Sequence, residues 1–298
     1  MKTLVLMLVL VGGLAMALRA APAQEGEGDA ATRQYVYKKT PKGDLAMTVH
    51  FPPGWKAAEA RPAVVFFFGG GWTGGTINQF ADQAAYLASR GMVAARADYR
   101  VKSRQGVTPD ACVEDAKSAV RWLRQKAGEL GIDPNRIVGA GGSAGGHIAA
   151  CAAMTPGLDA KGEDASVSSK PNALVLFNPV LDLQNLGQHA AGLGDDTVKA
   201  ISPNLHVAKD TPAAVLFYGT KDRFLAHGQA MLAKSKEAGN RVELWTADGQ
   251  PHTFFNRPPW KQLTLIKADE FLVSLGYLKG KPTVEAPAGT TVTLKKVE

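Results

Sequence analysis

Cysteine is scarce: the chain of 298 residues has two, Cys112 and Cys151, and they form no C-x-x-C pair. A disulfide scaffold and a cysteine-based metal module are therefore excluded. The six histidines fall in no H-E-x-x-H pattern and at no Cys/His ligand spacing, so no metal and no cofactor is expected. Charged residues make up 20% of the chain, with a formal excess of +7 spread along it. That excludes the basic patch of a nucleic-acid binder, while a weakly anionic substrate stays open. Gly-Lys-Ser/Thr, the signature of a phosphate loop, is missing.

Long apolar runs are missing too, apart from one at the start. Met1-Lys2 precedes an apolar stretch from Leu4 to Leu18, broken by Gly12-Gly13 and followed by Ala21-Pro22-Ala23. A membrane-spanning helix needs about 20 apolar residues, and Arg19 ends this stretch early. A charged start, a short apolar core and small residues at the end read as a secretory signal peptide over 1–23. The expectation is a secreted or periplasmic protein with no stable membrane insertion once the signal is cleaved. Residues 24–34 follow as a flexible lead, because QEGEGDAA is small and acidic.

What the chain does have is a 45% apolar content, enough to fill a core, and 32 glycines gathered in runs at 69–71, 74–75, 141–142 and 145–146. Apolar runs alternate with helical patterns. Strands are expected at Gln34–Lys39, Leu45–Phe51, Ala63–Phe68, Met92–Asp98, Arg136–Ala140, Ala173–Phe177, Ala213–Tyr218 and Val242–Trp245. Helices are expected at Gln79–Arg90, behind Thr108-Pro109, and at Ala144–Met154, Gln229–Ala238 and Trp260–Leu275. Continuous apolar strands alternating with helices predict an α/β fold, a mostly parallel sheet of about eight strands with helices on both faces. The main domain is placed at 35–278, with 181–210 as an insertion acting as a lid or substrate wall and 279–298 as a loosely attached polar tail.

Gly141-Gly142-Ser143-Ala144-Gly145 follows one strand and opens a helix. A serine on so sharp a turn needs small residues two positions to either side, and the turn lifts its hydroxyl to the end of the sheet. Two other readings remain at this point. Gly139, Gly141 and Ala144 also fit a dinucleotide fingerprint, although the acids downstream, Asp159 and Glu163, lie in a polar loop. The serine could also be idle at a glycine-rich helix start. A second run, Phe66-Phe67-Phe68-Gly69-Gly70-Gly71-Trp72, ends an earlier strand and favours the nucleophile, because glycines let backbone N–H groups approach an oxyanion. Asp222 in Gly219-Thr220-Lys221-Asp222 and His252 in Gly249-Gln250-Pro251-His252 each follow a later strand, so all three loops leave the same edge of the sheet. Asp182 is the reserve acid and Asp248 a weaker one. Trp72, Phe254, Phe255 and Trp260 are candidates to line an acyl or sugar site.

These segments, with ADYR at 97–100 and EDAKSAVRWLR at 114–124, resemble the α/β-hydrolase superfamily over about residues 35–278. More narrowly they are similar to hormone-sensitive-lipase-like esterases and to bacterial acetyl-xylan and feruloyl esterases. The resemblance implies Ser143 as nucleophile, His252 as general base and acid, and Asp222 as its orienting carboxylate. It implies an oxyanion hole from the N–H groups of Gly70, Gly71 and Ala144. Of the aromatics, Trp72 and Phe254 are the expected substrate contacts. The implied partner is a small-molecule or polysaccharide ester. A prolyl-oligopeptidase-like peptidase and a non-catalytic carbohydrate-binding hydrolase fold are the alternatives. One position departs from the pattern: Phe68 stands where related esterases carry the histidine of HGGG. Arg100 and Asp115 are expected to form a structural salt bridge. Cys112 and Cys151, on helices flanking the serine's strand, are either a disulfide or two small buried residues.

Overall fold

The computed structural model describes residues 31–184, 186–187 and 192–298. The signal-peptide segment, residues 24–30 of the lead, and His189 lie outside the described residues. The strands are β1 (Thr32–Thr40), β2 (Gly43–His50), β3 (Arg61–Phe67), β4 (Val93–Ala97), β5 (Ile132–Gly142), β6 (Ala173–Phe177), β7 (Ala213–Gly219), β8 (Val242–Ala247) and β9 (Leu294–Val297). The helices are α1 (Ala81–Ser89), α2 (Lys102–Gln105), α3 (Pro109–Gln125), α4 (Ala127–Leu130), α5 (Ala144–Met154), α6 (Asp195–Ala200), α7 (Leu225–Glu237) and α8 (Trp260–Ser274).

Among the described residues the strands form one sheet in the order β1-β2-β4-β3-β5-β6-β7-β8-β9. The pairs from β4-β3 through β7-β8 are parallel, and the outer pairs β1-β2, β2-β4 and β8-β9 are antiparallel. β6, β7 and β3 from Ala63 onward are buried on both faces, which is why they read as apolar runs, while β4 buries Arg96 within an otherwise apolar strand. Alternate side chains feed two cores. Val65, Phe67, Leu174, Leu176 and Leu216 pack with Val113 and Val120 of α3, Ile148 of α5 and Met231 of α7. Val64, Phe66, Val175, Phe177 and Phe217 pack on the other face with Leu87 of α1 and Phe271 and Leu272 of α8.

Two boundaries differ from expectation. The first strand begins at Thr32, inside the segment expected to be a flexible lead, because Thr32, Arg33 and Gln34 already pair with His50, Val49 and Thr48. The tail is not loose throughout. Leu294 is buried, and Leu294–Val297 add a ninth strand to the edge of β8. An edge strand with unpaired N–H and C=O groups is stabilised by such a partner.

The order places the cleft. From β3 the chain moves outward through α1 to β4, then returns to lay β5 on the other side of β3. Ligands in open parallel sheets bind outside the carboxyl ends of the strands at such a reversal. The loop 68–72 leaves β3 there and Ser143 leaves β5.

Candidate active site

Ser143 has φ 52° and ψ −118°, a conformation that strains a residue with a Cβ. The surroundings allow no relaxed alternative. A Cβ on Gly145 would lie 2.0 Å from the Phe67 carbonyl oxygen, so only glycine lets α5 start this close to β3. The Ser143 N–H donates to the Phe177 carbonyl at 2.9 Å, and the Ser143 carbonyl accepts from the His147 N–H at 2.9 Å. The serine is therefore pinned by backbone on both sides.

Its hydroxyl meets His252, with Ser143 Oγ 2.9 Å from His252 Nε2. His252 Nδ1 lies 2.7 Å from Asp222 Oδ2. Asp222 is buried, and its other oxygen accepts the Phe224 N–H at 2.9 Å. A carboxylate can only accept, so Nδ1 carries the proton and Nε2 presents its lone pair to the serine. The reserve acids sit elsewhere. Asp182 accepts the Gln184 N–H at 2.9 Å, and Asp248 accepts the Thr220 hydroxyl at 3.3 Å.

The glycine loop stands over this group. A cleft of about 250 Å³ is lined by Gly69, Gly70, Gly71, Trp72, Ser143 and His252, together with Gln79, Val180, Leu186, Arg223, Phe224 and Thr253. Gly70 has φ +136°, and a Cβ there would fall 2.2 Å from the Gly74 carbonyl oxygen. Among the described residues, no hydrogen bond uses the N–H groups of Gly70, Gly71 or Ala144. Three backbone donors thus remain free near the serine, one of them at the N-terminus of α5.

The Phe68 departure has a structural answer. The Phe68 ring is buried and stacks on Tyr99 with centroids 4.2 Å apart, and the Tyr99 hydroxyl donates to the Phe68 carbonyl at 2.7 Å. An aromatic stack and one buried hydrogen bond brace the loop. Further along, the Gly69 N–H donates to Gln79 Oε1 at 2.6 Å. The Trp72 indole N–H donates to His147 Nδ1 at 3.1 Å, and His147 Nε2–H donates to the Ile201 carbonyl at 2.7 Å. Burial pushes the His147 imidazole down to about 4, against a smaller opposing effect of the Ile201 carbonyl.

Of the two expected substrate contacts, Trp72 lines the cleft and Phe254 does not. Phe254 is buried, packed edge-on against Phe255 at 6.5 Å and Trp260 at 5.9 Å between centroids. A short 3-10 turn over Phe254–Asn256 turns both phenylalanines inward, so this assignment is corrected. Several residues of the site carry no sequence signal. Asn178 Oδ1 accepts the Thr253 N–H at 3.1 Å and holds the histidine loop, while its Nδ2 lies 3.4 Å from His252 Nε2. Phe224 meets the His252 ring edge-on at 5.3 Å. Arg223 lines the mouth.

Outside the site, Arg100 bonds both oxygens of Asp115 at 2.8 Å, and Lys38 adds a third contact at 2.7 Å. Cys112 and Cys151 are free, buried thiols, so the disulfide alternative is set aside. Cys112 faces the Arg100 carbonyl at 3.1 Å and Cys151 the His147 ring at 3.2 Å. Among the described residues no group of three His, Cys, Asp or Glu could hold a metal. Nor is any described helix long and apolar enough to cross a membrane.

The family model described as BD-FAE matches residues 47–236. A protein of Oryza sativa subsp. japonica named "Probable isoprenylcysteine alpha-carbonyl methylesterase ICMEL1" is 31% identical, over 74% of this chain and 56% of that one. The carboxylesterase NlhH of Mycobacterium tuberculosis is 35% identical over 37% of this chain and 34% of its own. The chain spans about half the length of the plant relatives it matches. Among solved structures, Thermogutta terrifontis esterase 2 phosphoramylated by tabun is 47% identical with a TM-score of 0.81, covering 84% of this chain and 97% of that one. The same esterase with propionate bound is 46% identical with a TM-score of 0.77, covering 85% and 96%. The sheet order and the match over most of its central strands agree: the chain has the α/β-hydrolase fold and belongs to the BD-FAE family.

Proposed function

We propose that this protein is a serine carboxylesterase acting on short acyl esters. The observation that carries the reading is the relay Ser143–His252–Asp222, at 2.9 Å and 2.7 Å, opening on a cleft beside three free backbone donors. His252 Nε2 removes the hydroxyl proton as Ser143 Oγ attacks the ester carbonyl. The carbonyl oxygen becomes an oxyanion held by the N–H groups of Gly70, Gly71 and Ala144, each contributing about 3 kcal/mol in comparable sites. The protonated His252 then gives its proton to the leaving alcohol, and the acyl group stays on Ser143. Water repeats the sequence, with His252 as base, and releases the acid. Asp222 fixes the tautomer and stabilises the imidazolium without taking the proton.

A cleft of about 250 Å³ favours a small acyl group. The neighbouring Thermogutta terrifontis esterase, recorded with propionate and with butyrate bound, supports the same size. Acetyl groups on a xylan-type polysaccharide are the natural substrate put forward. The support is the resemblance to acetyl-xylan and feruloyl esterases together with the export-type start of the chain, which favours a secreted or periplasmic site of action.

The test compares 4-nitrophenyl acetate, acetylated xylan and an aminoacyl 4-nitroanilide, using wild type and Ser143→Ala. Turnover of both esters by wild type alone, with Ser143 labelled by a fluorophosphonate, is the expected result. Equal ester turnover by Ser143→Ala overturns the reading, and preference for the anilide replaces it with a peptidase.

A further inference from the structure

We propose that Arg223 makes this cleft select esters bearing a second, anionic group, a carboxylate above all; the inference rests on the esterase reading above. Arg223 directly follows Asp222 and lines the mouth of the cleft with Phe224 and His252. The two neighbours have opposite settings. Asp222 is buried and committed to His252, whereas Arg223 is exposed. The Arg223 guanidinium carbon lies 4.5 Å from the centroid of the Phe224 ring. That contact positions the group over an aromatic face and satisfies none of its N–H donors. Among the described residues no carboxylate forms an ion pair with it. Leu186 also lines the cleft, and the sequence 185–191 contains no Asp or Glu.

Arginine on a rim usually neutralises a nearby acid. Among the described residues the lining here holds no carboxylate, so the charge is left for what enters. A guanidinium presents a planar fork that matches carboxylate, phosphate and sulfate oxygens in pairs. The cleft floor handles the scissile ester, and Arg223 would hold the second group at the mouth. The anion could sit on the acyl half or on the alcohol half of the ester. Both share the same chemistry, and matched substrates distinguish them.

The experiment measures kcat/KM for two pairs: 4-nitrophenyl hydrogen adipate against 4-nitrophenyl hexanoate, and 3-acetoxybenzoate against 3-acetoxybenzamide. Each anionic-to-neutral ratio is taken for wild type, Arg223→Lys, Arg223→Gln and Arg223→Glu. Intrinsic reactivity cancels when ratios are compared between proteins. For an exposed ion pair the ratio of the responding pair should fall about fivefold in Arg223→Gln. It should fall further in Arg223→Glu and least in Arg223→Lys, and the wild-type ratio should shrink with added salt. The pair that responds identifies the half of the ester that carries the anion. Ratios that stay the same in all four proteins, for both pairs, overturn the inference. Failure of wild type to hydrolyse any of the four esters, charged or neutral, overturns the esterase reading instead, so the two outcomes are separable.

Discussion

His147 offers the sharpest test of how the glycine loop is held. It is fully buried on α5, accepts from the Trp72 indole N–H and donates to the Ile201 carbonyl. The Trp72 bond requires the neutral ring, because protonation removes the acceptor that Trp72 uses, whereas the bond to Ile201 survives it. Burial lowers the imidazole from its ordinary 6.5 to about 4. The unfolded chain therefore takes up a proton near pH 6.5 that the fold refuses until about pH 4. This contribution to stability is complete above pH 6.5, declines as the pH falls, and has gone by pH 4. At 1.36 kcal/mol for each tenfold step, the loss amounts to about 3 kcal/mol. Urea unfolding of wild type and His147→Gln from pH 7.5 to 4 isolates it, because other groups, including the lowered His50 and His227, cancel in the difference. The wild-type advantage should shrink by about 3 kcal/mol across that range. Ring-proton titration of the native protein by NMR gives the same quantity directly. A flat difference curve, or a native midpoint near 6.5, refutes the account.

Asp222→Asn should lower kcat on 4-nitrophenyl acetate by about four orders of magnitude, with KM little changed, since the amide no longer dictates that Nδ1 carries the proton; a loss below tenfold would count against Asp222 as the orienting group. Asp115→Ala leaves Arg100 and Lys38 facing a site with no exposure to water. It should cost about 3 kcal/mol in urea unfolding, and a cost under about 1 kcal/mol would mean that Glu114 substitutes for it. Thiol titration without reductant should find no reactive cysteine in the native protein and both after unfolding, because Cys112 and Cys151 are buried and free. No reactive thiol after unfolding would instead mean a bridge.

The sequence carried the relay because each member sits just past a strand, and strands buried on both faces announce themselves as apolar runs. Ser143 after β5, Asp222 after β7 and His252 after β8 needed only that rule. Residues placed by the path of a loop were hidden. Asn178 follows β6 and Gln79 lies in a 3-10 turn before α1, and nothing local marks either as a partner of the Thr253 or Gly69 N–H. Phe254 misled for a related reason. Aromatic side chains are candidates for a cleft lining by type alone, but the tight turn buries both Phe254 and Phe255. At the tail, Leu294–Val297 carries Lys295 and Lys296 between its two apolar ends, so no apolar run marks the strand. Its pairing with β8 is long-range, and spacing along the chain does not reveal it.

The site divides by what holds it. Ser143 and the free donors are set by backbone contacts between β3, β5 and β6, where even one methyl on Gly145 has no room. A strained conformation costing about 1–3 kcal/mol persists only where its surroundings over-determine it. Asp222 and His252 are tied through their own loops, where the Lys221 N–H donates to the Gln250 carbonyl at 2.9 Å and the Thr220 N–H to the Ala247 carbonyl at 2.9 Å. Leu186, Arg223 and Phe224 line the same cleft outside these backbone ties. Exchanging a side chain at the mouth alters what is admitted, whereas exchanging one under the elbow alters whether the hydroxyl is presented at all. Differences in substrate choice within this fold should therefore map to the mouth, and the geometry between Ser143 and His252 should be the last thing to change.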